Sequence, residues 1–534
     1  MNRLSILTSA ALCAVALLSG CAPKAPHADH VIILGFDAMS ALGVQRAVTP
    51  NFNYMIENGA VSIHTRCVRE TSSSQNWMSM VSASPIEMHT VFTNGWKPGD
   101  LHNVDPALHN NIGLYPTIFD HIRAQKPDYK QFAYIEWGGE TRMYDMDAFD
   151  RVSVYKEDPD LKDAYDVMKK AFSEYMEERP EMLFVSMDRT DGDGHTFGHE
   201  SEEYLNTVHK LDSLTGAFVR DLEAKGWLDN TVIIVTADHG GISFGHGGDT
   251  LAEYEIPIIL FGGKVTKGKV MKHAAMIYDV GATAAALLGV ELPFECHGKL
   301  LTEAFEPKDD AVYVPIPFVR PFTGRAHGDV SISVDDPDAK IYYTLDGSDP
   351  DENSILYEGP FAIDKSYQIR AVAIKDGCRS LETSNFLTPD GFEPAVAYKF
   401  YKNVLGNDFP DFTKFGLPYS TGYVDNFSLE EFDVAKEDHF AILMTSNFVV
   451  PEDANYKFEL KSDDGAIIYL DGQVFISNPS AHSMKPAFGS IDLKAGKHVM
   501  KVEFFEISSV QNLIISYSIN GGPLRPLMPT DLER

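Results

Sequence analysis

The chain has 534 residues, room for about three or four domains at roughly 150 residues each. Hydrophobic residues make up 44% and charged residues 23%, which excludes collagen, coiled coil and wholesale disorder. The formal net charge is −32, from 77 acidic and 45 basic residues; a polyanion of this kind repels nucleic acid, so no nucleic-acid polymer is expected as a partner.

Residues 1–21 read as an address. Arg3 is followed by an apolar run from Leu4 to Leu18, too short to span a bilayer. Leu18-Ser19-Gly20-Cys21 then looks like a bacterial lipobox, with Cys21 lipidated and first in the mature chain. This predicts a lipoprotein of the bacterial cell envelope, periplasmic or surface-exposed, held at the membrane by its lipid alone. The alternatives are an ordinary secretory signal and a buried helix. Beyond it stand Cys67, Cys296 and Cys378, too few and too scattered for a Cys-rich zinc site or a disulfide framework. One Cys67–Cys296 bridge and free buried thiols both remain open.

Residues 28–305 alternate strands and helices. Val31 to Leu34, Met182 to Val185 and Thr231 to Val235 are short apolar runs, as expected of strands buried on both faces of a parallel sheet. Leu205, Val208, Leu211, Leu214, Phe218 and Leu222 recur at helical spacing, and Gly226 ends that helix. Strand, helix, strand is the crossover unit of an α/β domain with a central, mostly parallel sheet between helices.

Each of those strands leads into a carboxylate, a histidine or both. Asp37 follows the first. Asp191 and His195 follow the second, Asp238 and His239 the third, and His246 comes within a loop's reach. Sites in open α/β sheets form at these carboxyl ends. Asp and neutral His are ligands that a zinc-type ion accepts, and six such ligands exceed what one open four-coordinate ion takes, so two ions are favoured. A hydroxyl is at hand in Ser72-Ser73-Ser74-Gln75-Asn76-Trp77. The apolar helical pattern that starts at Trp77 places this serine run at a helix N-terminus, where free N–H groups favour an anion.

These residues resemble the alkaline phosphatase superfamily, on its type I phosphodiesterase/nucleotide pyrophosphatase branch. The resemblance covers residues 30 to about 300 and rests on Gly35-Phe36-Asp37, Ser73-x-x-Asn76, Asp191-x-x-x-His195, Asp238-His239-Gly240 and His246-Gly247. It implies a two-zinc phosphodiesterase. One zinc is held by Asp191, His195 and His246. The other is held by Asp37, Asp238 and His239, with the oxygen of Ser73 at that ion. Ser73 is then the nucleophile that forms a phospho-serine intermediate, with Ser72 and Ser74 as alternatives, and Asn76 contacts the phosphate. His89 matches a structural histidine. Arg142 and Arg189 are the cations placed near the site, too few to favour a monoester dianion over a diester. A phosphomonoesterase on the same site is the second enzyme reading, and a non-catalytic glycan-binding surface lipoprotein the third. Expected substrates are phosphorylated glycans, nucleotides or headgroups.

After Phe305 the texture changes. Residues 306–324, rich in proline, read as a linker. Residues 325–390 read as an all-β module; Ile341-Tyr342-Tyr343-Thr344-Leu345-Asp346-Gly347-Ser348-Asp349-Pro350 resembles the chitobiase/β-hexosaminidase C-terminal module, a fibronectin-like sandwich. Residues 395–530 are again β-rich. Ser462-Asp463-Asp464-Gly465-Ala466 through Leu470-Asp471-Gly472 resembles the protective-antigen-type β-sandwich. That resemblance makes Asp463 and Asp464 candidates for calcium and sugar binding, with a purely structural turn as the other reading. Both modules belong to sugar-associated families, which makes a glycan partner an option by association.

Overall fold

The computed structural model describes residues 26–534 apart from 100–104, 249, 322–323, 405, 407, 430, 433–437, 483 and 508–510. The lipobox segment and Cys21 therefore lie outside the described residues. Among the described residues no helix is long and apolar enough to cross a membrane.

The N-terminal domain is built on strands β1 (His30–Phe36), β2 (Ala60–Arg66), β3 (Gln131–Ile135), β4 (Arg151–Val154), β5 (Met182–Met187), β6 (Thr231–Thr236), β7 (Glu255–Gly262) and β8 (Lys269–Val270). They form one sheet in the order β4-β3-β5-β1-β6-β7-β2-β8. Only β7 runs against the others: it is antiparallel to β6 and β2, while the remaining pairs are parallel. The sheet is mixed and mostly parallel, as the apolar runs predict. β1, β5 and β6 are buried at every residue because helices cover both faces. The helices Ala41–Arg46, Pro50–Glu57, Asp166–Glu178 and Glu202–Ala224 pack together on one face, and Ser73–Ser82, Ile118–Gln125 and Tyr278–Leu287 on the other.

The predicted helix through Leu205 and Leu222 is Glu202–Ala224. Ser201 caps it by accepting the Tyr204 N–H, and Gly226 follows its end in the left-handed region. Cys67, Cys296 and Cys378 are free thiols. Of the two readings for Cys67 and Cys296, the structure has the unbridged one.

The C-terminal region is all-β. One module pairs strands Gly324–Ala326, Thr383–Pro389, Tyr367–Lys375, Lys340–Thr344 and Ile355–Leu356. The last packs a sheet containing Val396–Lys402, Phe440–Val450, Gly496–Glu506 and Ala466–Leu470 on a second containing Ala454–Asp463 and Asn512–Ile519, around a core that includes Phe448, Phe458, Phe504 and Tyr517. The proline-rich stretch 306–324 departs from a free linker. Val314 and Ile316 are buried, and Val319 in the strand Phe318–Arg320 joins the core of the following module. Ile316 packs with Ala41 of the first domain and Leu381 of that module. Nearby, Arg46 bonds Thr383 Oγ1 at 3.0 Å and pairs with Glu200 at 2.6 Å.

Candidate metal centre

The ligand-bearing strands β5, β1 and β6 are neighbours in the middle of the sheet. Parallel strands lie about 4.8 Å apart, so residues just past their ends converge without long loops. The backbone locks them: Asp37 N–H donates to Met187 O at 2.7 Å, and Ala38 N–H and His239 N–H donate to Asp238 Oδ1 at 3.0 and 2.8 Å. Trp77 Nε1–H donates to Asp37 Oδ2 at 3.1 Å. The indole needs Gly35 to reach it, since a Cβ there would lie 2.5 Å from the Trp77 ring.

Four imidazoles share one arrangement. Nδ1 of His195, His239 and His246 each lies 2.8 Å from a backbone carbonyl (Phe244, Gly240 and Thr71), and Nδ1 of His199 lies 3.1 Å from Ser243 O. A carbonyl only accepts, so Nδ1 carries the proton and Nε2 presents a lone pair when the ring is neutral. Those Nε2 atoms face carboxylates. His195 is 3.1 Å from Asp191 Oδ2, and His246 is 3.5 Å from Asp191 Oδ1. His239 is 3.4 Å from both Asp37 Oδ1 and Asp238 Oδ2. Lone pairs opposing carboxylates repel unless a cation stands between them. Asp37 Oδ1, Asp191 Oδ1 and Asp238 Oδ2 are moreover buried without a hydrogen-bond partner. The donor set therefore fits metal cations, in two overlapping groups: Asp191, His239 and His246, and Asp37, Asp238 and His239. His239 faces both groups, its ring centroid 4.1 Å from that of His246. His195 closes the rim, with its side chain 32% exposed.

Burial leads the electrostatics of the cluster, and the facing charges set the direction at each group. Burial, then the charges of Asp238, Asp191 and Asp188, raise the Asp37 carboxyl well above its usual range. Burial also raises Asp238, with Asp191 contributing. Asp191 is equally buried, yet His246, His195 and His199 hold it well below the usual carboxylate range. Burial is opposed by the Asp191 hydrogen bond at His195, which rises to about 9. Burial dominates at His246, which falls to about 4.

Ser73 opens the helix Ser73–Ser82, as the serine run predicts, with Ser72 as N-cap. Its Oγ lies 3.3 Å from His239 Nε2, so it faces the cluster. Ser74 turns elsewhere: its Oγ accepts from Arg142 Nη2 at 3.0 Å and its N–H donates to Asn94 Oδ1 at 2.8 Å. Arg142 also donates to Asn94 O. Arg142 thus stands beside the serine block, whereas Arg189 is paired with Asp193 at 2.8 Å.

Asn76 is a correction. Its side chain is fully buried, and Oδ1 accepts the Val68 N–H at 2.7 Å. Nδ2 donates to Ser72 O at 3.0 Å and Glu70 O at 3.1 Å. An amide spent on the backbone of 68–72 ties down that loop and has no donor left for a phosphate. The exposed amide beside the serines belongs to Asn94, which reads in sequence only as part of a turn, Thr93-Asn94-Gly95. His199, missed as well, had a signal. Asp191, His195 and His199 are spaced four apart, and His199 Nε2 lies 3.6 Å from Asp191 Oδ1. His89 is structural, its Nε2 2.9 Å from Ser79 Oγ deep in the helical layer.

In the last module, Asp464 Oδ1 accepts the His482 N–H at 2.7 Å and Oδ2 the Ile507 N–H at 2.9 Å, the geometry of a structural turn. Its own N–H donates to Glu506 Oε2 at 3.0 Å, while Glu506 Oε1 is buried without a partner. Burial, then the charge of Asp464, raises Asp463 to about 8. Burial, then the charges of Asp464 and Asp463, raises Glu506 to about 10.

Comparison with known proteins agrees with this architecture. Residues 31–255 match the family model of type I phosphodiesterase/nucleotide pyrophosphatase, residues 330–386 that of Fn3 associated, and residues 420–527 that of the PA14 domain. The chain is 28% identical over 221 residues to a 2,3-bisphosphoglycerate-independent phosphoglycerate mutase of Rhodopirellula baltica, covering 39% of this chain and 38% of that protein. It is 23% identical over 254 residues to ectonucleotide pyrophosphatase/phosphodiesterase family member 7 of Mus musculus, covering 45% and 57%. These matches span less than two thirds of either relative. Among solved structures, murine ectonucleotide pyrophosphatase/phosphodiesterase 5 superposes with a TM-score of 0.42 at 17% identity, over 49% of this chain and 96% of that one. Wild-type alkaline phosphatase PafA superposes with a TM-score of 0.42 at 12% identity, over 53% and 99%.

Proposed function

Starting from a phosphodiesterase/nucleotide pyrophosphatase-type domain at residues 31–255, we propose that the chain is a two-zinc phosphodiesterase acting through a phospho-serine intermediate. The observation that carries this reading is the convergence of histidine lone pairs and orphaned carboxylate oxygens on Ser73. Asp191, His195 and His246 would hold one ion, and Asp37, Asp238 and His239 the other. When bound, such ions lower the pKa of a hydroxyl and neutralise charge on phosphoryl and leaving oxygens. The chain's own part is positional. Ser73 Oγ attacks phosphorus and the alcohol departs; water then cleaves the phospho-serine. The N–H groups opening the helix at Ser73 favour the phosphoryl charge, and the Asn94 amide stands beside them. The carbonyls at Nδ1 of His195, His239 and His246 keep those rings in one tautomer.

A second reading, phosphomonoesterase, is favoured by Arg142 beside the serine block, because a dianion gains more from a guanidinium than a monoanion does. Envelope anchoring through Cys21 and calcium or sugar binding at Asp463 and Asp464 belong to the proposal. The Asp463–Glu506 carboxylates support the cation, and the structural bonds of Asp464 count against it.

The test pairs Ser73→Ala with two reporters, methyl p-nitrophenyl phosphate and p-nitrophenyl phosphate. The unsubstituted chain should purify with two zinc ions and prefer the diester, and Ser73→Ala should keep the metal and lose turnover. A chain that binds no zinc sinks the reading. Turnover surviving in Ser73→Ala moves the nucleophile to a neighbour, and a monoester preference selects the second reading.

A further inference from the structure

A cavity of about 450 Å³ opens at the carboxyl ends of β3, β4 and β5. Trp137 and Tyr155 line it, with the carboxylates of Glu136, Glu157 and Asp188 and the cations of Lys156 and Arg189. Arg142 joins this cavity to the serine block: its guanidinium lies 5.4 Å from the Trp137 ring centroid and donates to Ser74 Oγ at 3.0 Å. The cavity wall thus lies one side chain away from the residue next to Ser73.

The walls are built rather than incidental. Glu136 Oε2 accepts the N–H groups of Asp188 and Arg189 at 2.8 and 3.0 Å, which fixes the carboxylate and leaves Oε1 unbonded among the described residues. Trp137 lies against Gly139, where a Cβ would stand 2.4 Å from the indole. The Arg189 charge is spent on Asp193 at 2.8 Å. What remains is three carboxylates, two aromatic rings and the Lys156 ammonium, which has no ion pair among the described residues.

We propose that this cavity is the leaving-group subsite and that it takes a sugar ring, so that the substrates are phosphate esters of carbohydrates; the proposal rests on the hydrolase reading above. An ionised carboxylate only accepts and a protonated one can also donate, and the hydroxyls of a polyol, donors and acceptors both, satisfy either form. The C–H faces of a sugar ring suit the apolar surfaces of Trp137 and Tyr155, with the polar groups setting orientation. The competing groups fit less well. A trimethylammonium headgroup has no hydrogen-bond donor for the Glu136 and Glu157 carboxylates and would share the cavity with the Lys156 and Arg189 cations. A nucleobase carries fixed ring acceptors beside its N–H donors, and any acceptor turned to a carboxylate stays unpaired, whereas each sugar hydroxyl can rotate to donate.

The test is calorimetric titration of the full chain carrying Ser73→Ala, loaded with zinc, with glucose 6-phosphate, thymidine 5′-phosphate and phosphocholine. The three share a phosphate monoester and differ in the group offered to the cavity. Glucose 6-phosphate should bind about tenfold more tightly than either of the others. Trp137→Ala and, separately, Tyr155→Ala in the same background should bring the three affinities to about the same value. Tighter binding of thymidine 5′-phosphate or phosphocholine overturns the proposal. So do equal affinities, absence of binding by all three, or a sugar preference that survives both substitutions. Failure of the hydrolase reading shows elsewhere, as no turnover of methyl p-nitrophenyl phosphate by the unsubstituted chain, and does not alter the binding order.

Discussion

Replacing Asn76 by alanine separates two roles that its position beside the serine block allows. The side chain makes three hydrogen bonds between 2.7 and 3.1 Å to the backbone of Val68, Glu70 and Ser72. At about 1 kcal/mol net for each bond, with a further 1–3 kcal/mol for a buried Val68 N–H left unpaired, Asn76→Ala should cost about 4 kcal/mol. For a domain of this size that is a fall in Tm of about 10 °C. The damage should spread to the metals, because Thr71 lies in the tethered loop and its carbonyl, 2.8 Å from His246 Nδ1, fixes that imidazole. The assay is thermal unfolding with and without saturating zinc, beside kcat and KM at both zinc levels. A lower Tm, weaker zinc retention and partial recovery of turnover in excess zinc are expected. An unchanged Tm with kcat down about a thousandfold, the size of a lost transition-state donor, would refute the tether and restore Asn76 as a phosphate contact.

Three other outcomes are expected. In Gly241→Ala the new Cβ would stand 2.2 Å from the His199 ring; zinc affinity should fall about 10- to 100-fold in a chelator competition, and unchanged affinity would remove His199 from the centre. Arg142→Ala should lower kcat/KM for p-nitrophenyl phosphate about tenfold more than for the methyl diester, and equal losses would show that Arg142 only positions Ser74 and Asn94. In the last module, burial raises Asp463 to about 8 and Glu506 to about 10, so these carboxyls favour the folded state when protonated. Their contribution is complete below the unfolded value of about 4 and is lost as pH rises through the folded values. The module should therefore melt lower at pH 9 than at pH 6. Glu506→Gln should flatten that slope, millimolar calcium should flatten it only if the carboxylates hold the ion, and a flat profile without calcium contradicts the burial argument.

Much of this was legible because the chemistry lies on regular elements. β5, β1 and β6 are unbroken apolar runs, and each hands its next residues to the same end of the sheet, so Asp37, Asp191, His195, Asp238 and His239 could be grouped before any coordinates. The serine run announced a helix start because Trp77, Met78 and Met80 follow at helical spacing, and all three are buried. What sequence could not settle was orientation. Asn76 and Asn94 are both amides near the serines, and only the path of residues 68–72 shows that one is consumed by backbone while the other is exposed. The prolines of 306–324 read as a linker, and no local signal tells that Val314 and Ile316 find a surface to bury against. The cavity was equally hidden: Glu136, Tyr155 and Asp188 come from the ends of three strands whose adjacency depends on sheet order.

Arg46 gives the chain an unexpected wiring. It sits at the end of the short helix that follows Asp37, reaches back to Glu200 just past His199, and bonds Thr383 in the module beyond residue 325. A chain ended at residue 305 would leave the guanidinium without its hydroxyl and expose Ala41, whose neighbours Ile316 and Leu381 would be gone. In mechanical terms the fibronectin-like module is a brace rather than an appendage: Leu381 and Thr383 press on the short helix that follows Asp37, and Arg46 carries that contact on to Glu200, one residue beyond His199.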